Sequence, residues 1–272
     1  MGGVSLRADI AIGGLQVGVR SASRELIGML ESRYAGFLAA AGPAHFEFDV
    51  EVGPTREDEP DEDVRVFRDG ALWRIERGDF RAQLDTAARR GNIRQSANPY
   101  SLDSVLRIVH TLVLAHEGGF LFHAASVVLD GRALLFAGAS GAGKTTLSRL
   151  APANATLLSD EVSFVRRAGD GYLAHGTPFA GELARPGENV SAPLAAIYLL
   201  EQGARNEIVP VPAAEALRAV LANVLFFARD DELVRAVLDS AANLVERVPV
   251  RRLRFVPQVS VWDAIAADGK SR

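Results

Sequence analysis

The period of the apolar positions changes several times along the chain, and each change predicts an element. Residues 5–19, "SLRADIAIGGLQVGV", alternate around paired glycines, which predicts two strands and a turn. Leu26, Met29, Leu30, Tyr34 and Leu38 then recur at helical spacing. That predicts a helix capped by Ser21 or Ser23 and stopped by Gly42-Pro43. "HFEFDVEV" (45–52) alternates at period two, as a half-buried strand does. "PTREDEPDED" (54–63) has no apolar residue and reads as a solvated acidic loop. "VRVFRDGALWRIER" (64–77) is a hairpin signal with Asp69-Gly70 at its turn, and the next segment continues the meander. Residues 1–100 are thus expected to form a smaller α+β lobe rich in antiparallel strand, for substrate or partner recognition.

A second region, 101–272, opens with an amphipathic stretch after Pro99. Ser101 is the expected N-cap, Leu102, Val105, Leu106, Val109, Leu112 and Val113 the apolar face, and Gly118-Gly119 the stop. Two strands follow around Asp130-Gly131, a strong hairpin turn, and the second runs into "GASGAGKT". A short helix begins at Lys144 and is cut off by Pro152. Beyond it come strands to about residue 210, two amphipathic helices, the strand "PVRRLRFVP" and the short helix "SVWDAIAA". No repeat with a period of 20–50 residues is visible.

Gly138 to Thr145 fits G-x-x-x-x-G-K-[ST], with an apolar strand before it and helix formers after it. Glycines let backbone amides approach a phosphate closely, and the start of a helix adds positive potential. The expected nucleotide contacts are Gly138, Ser140, Gly141, Ala142, Gly143, Lys144, Thr145 and Thr146. Lys144 would bridge phosphates and the Thr145 hydroxyl would ligate magnesium, which makes ATP and Mg2+ the expected cofactors. A glycine-rich turn without a nucleotide is the bland alternative. Against it stands the lysine usage: of 30 Lys and Arg, only Lys144 and Lys270 are lysines. A compact ammonium suits a tight phosphate cradle where the broad guanidinium does not.

Sixteen residues after Lys144, "TLLSDE" places Asp160 and Glu161 after a short apolar strand. A carboxylate at a strand's carboxyl end is what a magnesium–nucleotide complex needs. A surface acidic pair is the alternative. Asp160 is the expected second metal ligand. Asp160, or Glu161 beside it, is the expected base toward an acceptor hydroxyl.

Composition narrows the classes further. The chain is 48% hydrophobic and 24% charged, an ordinary globular mix. Its net charge of −4 gives no support to a nucleic-acid partner. With no cysteine, disulfides, thiolate metal sites and a cysteine nucleophile are excluded. No apolar run reaches the ~18–20 residues that span a bilayer, and no signal-peptide pattern opens the chain. A soluble cytoplasmic protein without a membrane partner is expected.

"HAASVVLDGRALLFAGASGAGKTTL" with "LLSDE" behind it resembles the catalytic domain of HPr kinase/phosphorylase and the HPr-kinase-related serine kinases. The same loop also resembles ATP-dependent phosphoenolpyruvate carboxykinases. The likeness covers roughly residues 118–265. It implies a mixed-sheet α/β fold with a carboxykinase-like P-loop core. It implies a catalytic-site role for His123 in "FHAASV", and for Asp160 a role in binding magnesium and as base toward a serine hydroxyl. "HGTPFAGE" (175–182) is similar to a Gly-Thr-Pro segment beside the active site, which brings His175 and Thr177 near substrate. Self-assembly into a homo-oligomer is also implied. HPr kinases carry Ser-Glu after the loop lysine and paired aspartates, where this chain has Thr145-Thr146 and Glu161, so the kinase-related branch is the better likeness.

Glu182 and Arg185 are further candidates for substrate or γ-phosphate contact. Arg251, Arg252 and Arg254 form a basic cluster that reads as a solvated strand face or as a contact for phosphate or an acidic peptide. His45, His110 and His116 have no second ligand at metal spacing. Together these readings lead to an ATP-dependent kinase acting on a serine or threonine hydroxyl of a protein or peptide, with Asp160, Lys144, His123 and Glu161 as its catalytic set. The alternatives are a small-molecule kinase on the same fold and a nucleotide-dependent peptide-binding module with little transfer.

Overall fold

In a computed structural model, which describes residues 5–54 and 63–270, the protein is a mixed α/β chain with six α-helices and two mixed sheets. The acidic stretch 54–63 lies outside the described residues except for Pro54 and Asp63. Two compact units form, Met1–Val113 with Phe226–Val234, and Leu114–Leu225 with Arg235–Arg272.

The first unit starts with β1 (Leu6–Ile12) and β2 (Leu15–Ser21), an antiparallel pair turned by Gly13 and Gly14 at positive φ. Helix α1 (Arg24–Arg33) follows, with the Ser23 hydroxyl accepting from the Leu26 amide. It is shorter than the apolar spacing suggests. The chain leaves the helix at Tyr34, and the turn Ala35–Phe37 is a 3-10 turn, so Leu38 is not on the helix and is exposed. Strand β3 (Phe46–Val52) then pairs in parallel with β2, so α1 is the crossover of a β–α–β unit. Strands β4 (Arg65–Asp69), β5 (Leu72–Arg77), β6 (Phe80–Asp85) and β7 (Arg90–Gln95) complete a seven-stranded sheet of order β1-β2-β3-β7-β6-β5-β4. Four of the six ladders are antiparallel, and the two that join β3 to β2 and to β7 are parallel. Period-two alternation fixes which face a strand buries but carries no information about its neighbour's direction.

Helix α2 (Pro99–Glu117) begins two residues before the expected cap. Asn98 caps it, with its side-chain oxygen accepting from the Tyr100 amide, and Pro99 takes the first helical position, where no amide is needed. The Ser101 hydroxyl instead donates to Asp79.

In the second unit, β8 (Phe120–Leu129) and β9 (Arg132–Ala137) form the expected hairpin, with Asp130 and Gly131 both at positive φ. Helix α3 (Lys144–Arg149) is followed by β10 (Thr156–Ser159), β11 (Val162–Ala168), β12 (Gly171–His175), β13 (Ser191–Gln202) and β14 (Glu207–Pro210). Then come α4 (Ala213–Asn223), the two-residue β15 (Val224–Leu225), α5 (Asp231–Arg247), β16 (Val250–Phe255) and α6 (Val261–Lys270). Strand β8 uses its first half to pair with β11 and its second half to pair with β9 and β10. Strand β13 does the same between β12 and β9. The ladders therefore close a ring, β8-β11-β12-β13-β9.

The core below the loop shows why it holds its shape. Phe136 stacks on Tyr198 at 5.7 Å and meets Trp262 edge-on at 5.6 Å, with Leu147 of α3 and Phe255 of β16 in the same cluster. Burial of one such side chain contributes about 1.5–3 kcal/mol. Phe136→Ala is expected to cost about 3–5 kcal/mol.

Candidate functional site

Strand β9 ends at Ala137, and the chain turns through Gly138–Gly143 into α3. Gly141 (φ 78°) and Gly143 (φ 107°) are in the left-handed region that a side chain disfavours. At Gly143 a Cβ would also lie 2.6 Å from Phe255 Cζ. The Ala142 amide donates to Ala139 O, and Gln202 at the end of β13 donates to Gly141 O at 3.2 Å. The amides of Lys144, Thr145 and Thr146 have no helical acceptor, as in any first turn. Since α3 has only six residues, the loop amides and Lys144 rather than a long helix dipole must supply positive potential.

Lys144 folds over its own loop. Its Nζ donates to Gly138 O at 2.8 Å and to Ala139 O at 3.4 Å. Burial lowers the ammonium's pKa, and the charges of Glu161 and Glu182 oppose that shift. The lysine is thus a buried cation held by neutral carbonyls, with its compensating charge across a cavity.

That cavity, about 330 Å³, is lined by His123, Ser140, Gly141, Gly143, Lys144, Thr145, Thr146, Asp160, Glu161 and Glu182. Its acidic wall follows from strand register. β8 pairs with β11 so that His123 opposes Val162, the residue after Glu161. His123 is the one half-exposed position among buried neighbours in that part of β8, and its Nδ1 lies 3.5 Å from Glu161 Oε1. The Ser159 hydroxyl accepts from the amides of Glu161 and Val162, which fixes the turn that carries both acids.

Asp160 is only 2% exposed. Its Oδ1 accepts from the Gly181 amide and its Oδ2 from the Leu183 amide, each at 2.8 Å. The bond pair grips the segment that carries Glu182. A Cβ on Gly181 would lie 2.8 Å from Glu161 Cβ, so the grip requires glycine there. One amide donor per oxygen leaves the carboxylate lone pairs to spare for a cation. Among the described residues no cluster of three or more His, Asp or Glu side chains is placed to hold a metal alone. A magnesium ion here would need the Thr145 hydroxyl, Asp160 and ligand phosphates together, which is how such ions are commonly held.

Other expected site residues lie elsewhere. Thr177 is fully buried, and its hydroxyl donates to Val162 O at 2.7 Å, so it ties a loop to β11 and has no route to a ligand. His175 lies edge-on to Phe164, and burial together with nearby Arg166 lowers its pKa to about 4. It does not line the cavity. Arg185 lines a different cavity. The arginine cluster on β16 is neutralised: Arg252 pairs with Glu201 and Glu215, and Arg254 with Glu201 and Glu207. Reading from sequence missed Gly181, Leu183 and Ser159, which act through backbone amides or a structural hydroxyl. "SDE", with a serine ahead of the acids, was the only local signal.

Fold and site define a mixed α/β unit built around a glycine-rich phosphate-type loop with an acidic wall. The chain belongs to the family described as SynChlorMet cassette protein ScmC, whose model matches residues 94–267, more than half of its length. The likeness to HPr kinases is therefore corrected: the matching family is not theirs, and no kinase family model matches. The misreading has a physical origin. Close backbone approach to a phosphate demands the same glycines, lysine and hydroxyl wherever it occurs, so the loop does not define a family. No curated protein matches the chain. No helix among the described residues is long and apolar enough to cross a membrane.

Proposed function

We propose that the chain is a magnesium- and ATP-dependent kinase acting on a serine or threonine hydroxyl of a protein or peptide. One observation carries the reading: a buried lysine on a glycine loop and three carboxylates, Asp160, Glu161 and Glu182, line one cavity. When bound, magnesium–ATP supplies the phosphoryl group. The residues present fit it. Loop amides and Lys144 would hold the phosphates, and Thr145 with Asp160 would hold the ion. A carboxykinase-like P-loop core would also account for a loop fed by a hairpin strand.

The transfer breaks the bond between the γ-phosphorus and its bridging oxygen and makes one to the acceptor oxygen. The acceptor's proton must leave. Asp160 is buried and engaged with two amides, so Glu161 is the better-placed base, with His123 at 3.5 Å to share the proton. Lys144 stabilises the charge that builds on the transferring oxygens, because a preorganised cation acts there without reorganisation cost. Incubation with [γ-³²P]ATP and serine- or threonine-containing peptides tests the proposal. Label should reach a peptide with the parent chain and not with Lys144→Ala or Glu161→Gln. Equal labelling by parent and variants would overturn it.

The grip of Asp160 on Gly181 and Leu183 favours one second reading, a nucleotide-dependent binding module in which occupancy repositions residues 181–183. Tight magnesium–ATP binding with no label transferred to any acceptor would select it.

A further inference from the structure

The second unit holds another cavity, about 420 Å³, which the phosphoryl-transfer reading does not use. Its apolar floor includes Val127, Leu157 and Leu183, and its rim carries Arg149 and Arg185. Both arginines are exposed. Among the described residues neither has a carboxylate partner. What sets these two guanidiniums apart is that they line one cavity together with the apolar Val127, Leu157 and Leu183. The segment that supplies Leu183 and Arg185 is held in place. Asp160 grips it at Leu183, the Ala184 amide donates to Gly181 O, and Ala184 takes the left-handed φ of 52°. A non-glycine residue in that region marks a conformation imposed by its surroundings.

We infer that this cavity is a binding site for an oxyanion carried on an apolar body. The guanidiniums would hold a carboxylate or phosphate, and the floor its hydrocarbon or aromatic part. The chemistry suits an acidic residue beside an apolar one in a peptide, and equally a free carboxylic acid. The assignment does not depend on phosphoryl transfer.

The test uses the full chain and the fluorescent reporter 8-anilinonaphthalene-1-sulfonate, an anion on an apolar body. Saturable enhancement is expected, weakened at least about tenfold by the double variant Arg149→Ala/Arg185→Ala, since each hydrogen-bonded charge contributes at that level. Both residues are exposed, so the variant keeps its fold. Excess magnesium–ATP should leave the reporter bound. Displacement by acetyl-Leu-Glu-amide and not by octanoate assigns the site to peptides, and the reverse assigns it to free acids. Displacement by neither, unchanged affinity in the double variant, or displacement by magnesium–ATP overturns the inference. If the reporter behaves as expected and no peptide is ever labelled, the kinase reading fails and this site stands.

Discussion

Asp103 and Asp160 are both buried aspartates, one in each unit, and they are used in opposite ways. Asp103, 4% exposed, meets the Arg33 guanidinium and the Tyr34 hydroxyl. Its charge is cancelled by a side chain of the same unit. Asp160, 2% exposed, accepts from two neutral amides on the wall of a cavity that Lys144 also lines. The contrast extends to the surroundings. In the first unit Arg7 pairs with Asp9 and Glu47, Arg20 with Glu47, and Arg77 with Asp79. Around the loop, charges of both signs border open space. Burial does not separate the two carboxylates; what separates them is a guanidinium against Asp103 and a cavity beside Asp160.

The largest effect that could break this comparison is on transfer. Asp160→Asn should lower peptide labelling roughly 10³-fold, because the amide cannot accept from both Gly181 and Leu183 and carries no charge for the ion. Asp103→Asn should leave magnesium–ATP affinity within about twofold. Equal losses of affinity in the two variants, read by calorimetry, would erase the distinction. Next is stability. Asp103→Ala should cost about 3–5 kcal/mol in urea denaturation, the usual penalty for stranding a buried partner.

A smaller, pH-dependent effect follows from His110, which is buried in the first unit and whose Nδ1 donates to Leu106 O. Burial lowers its pKa to about 4. Between about 4 and the ordinary 6.5 the unfolded chain therefore binds more protons than the folded one. Stability is full above pH 6.5 and falls as pH drops toward 4, by roughly 3 kcal/mol. His110→Leu should flatten that part of the urea-midpoint profile, and an unchanged slope would contradict the burial argument. The smallest effect is a gain. Ala184→Gly should add about 1 kcal/mol by relieving the left-handed conformation, read as a raised midpoint in a thermal melt.

Much of the second unit was legible because its signals are local. Asp130-Gly131 needs positive φ at two adjacent positions, and the glycines before Lys144 need it again, so turn and loop are written in consecutive residues. The placement of Asp160 at the end of β10 was legible for the same reason. What escaped was long-range. Nothing in residues 45–52 says that β3 runs parallel to both neighbours, and nothing near β8 says that it pairs with β11 along its first half and with β9 and β10 along its second. Two-residue β15 is too short to show any period. Thr177 and His175 were placed near substrate by a likeness of sequence, whereas packing turned the first toward Val162 and the second against Phe164. Asp160's partners were invisible because an amide donor can belong to any residue type.

Lys144 also has a practical consequence. Apart from Lys270 it is the chain's only lysine, and it is held against its own loop carbonyls. Amine-directed mass tags would therefore have a single interior target on the chain. The fraction of Lys144 acylated with time would act as a direct gauge of loop occupancy, readable in a mixture.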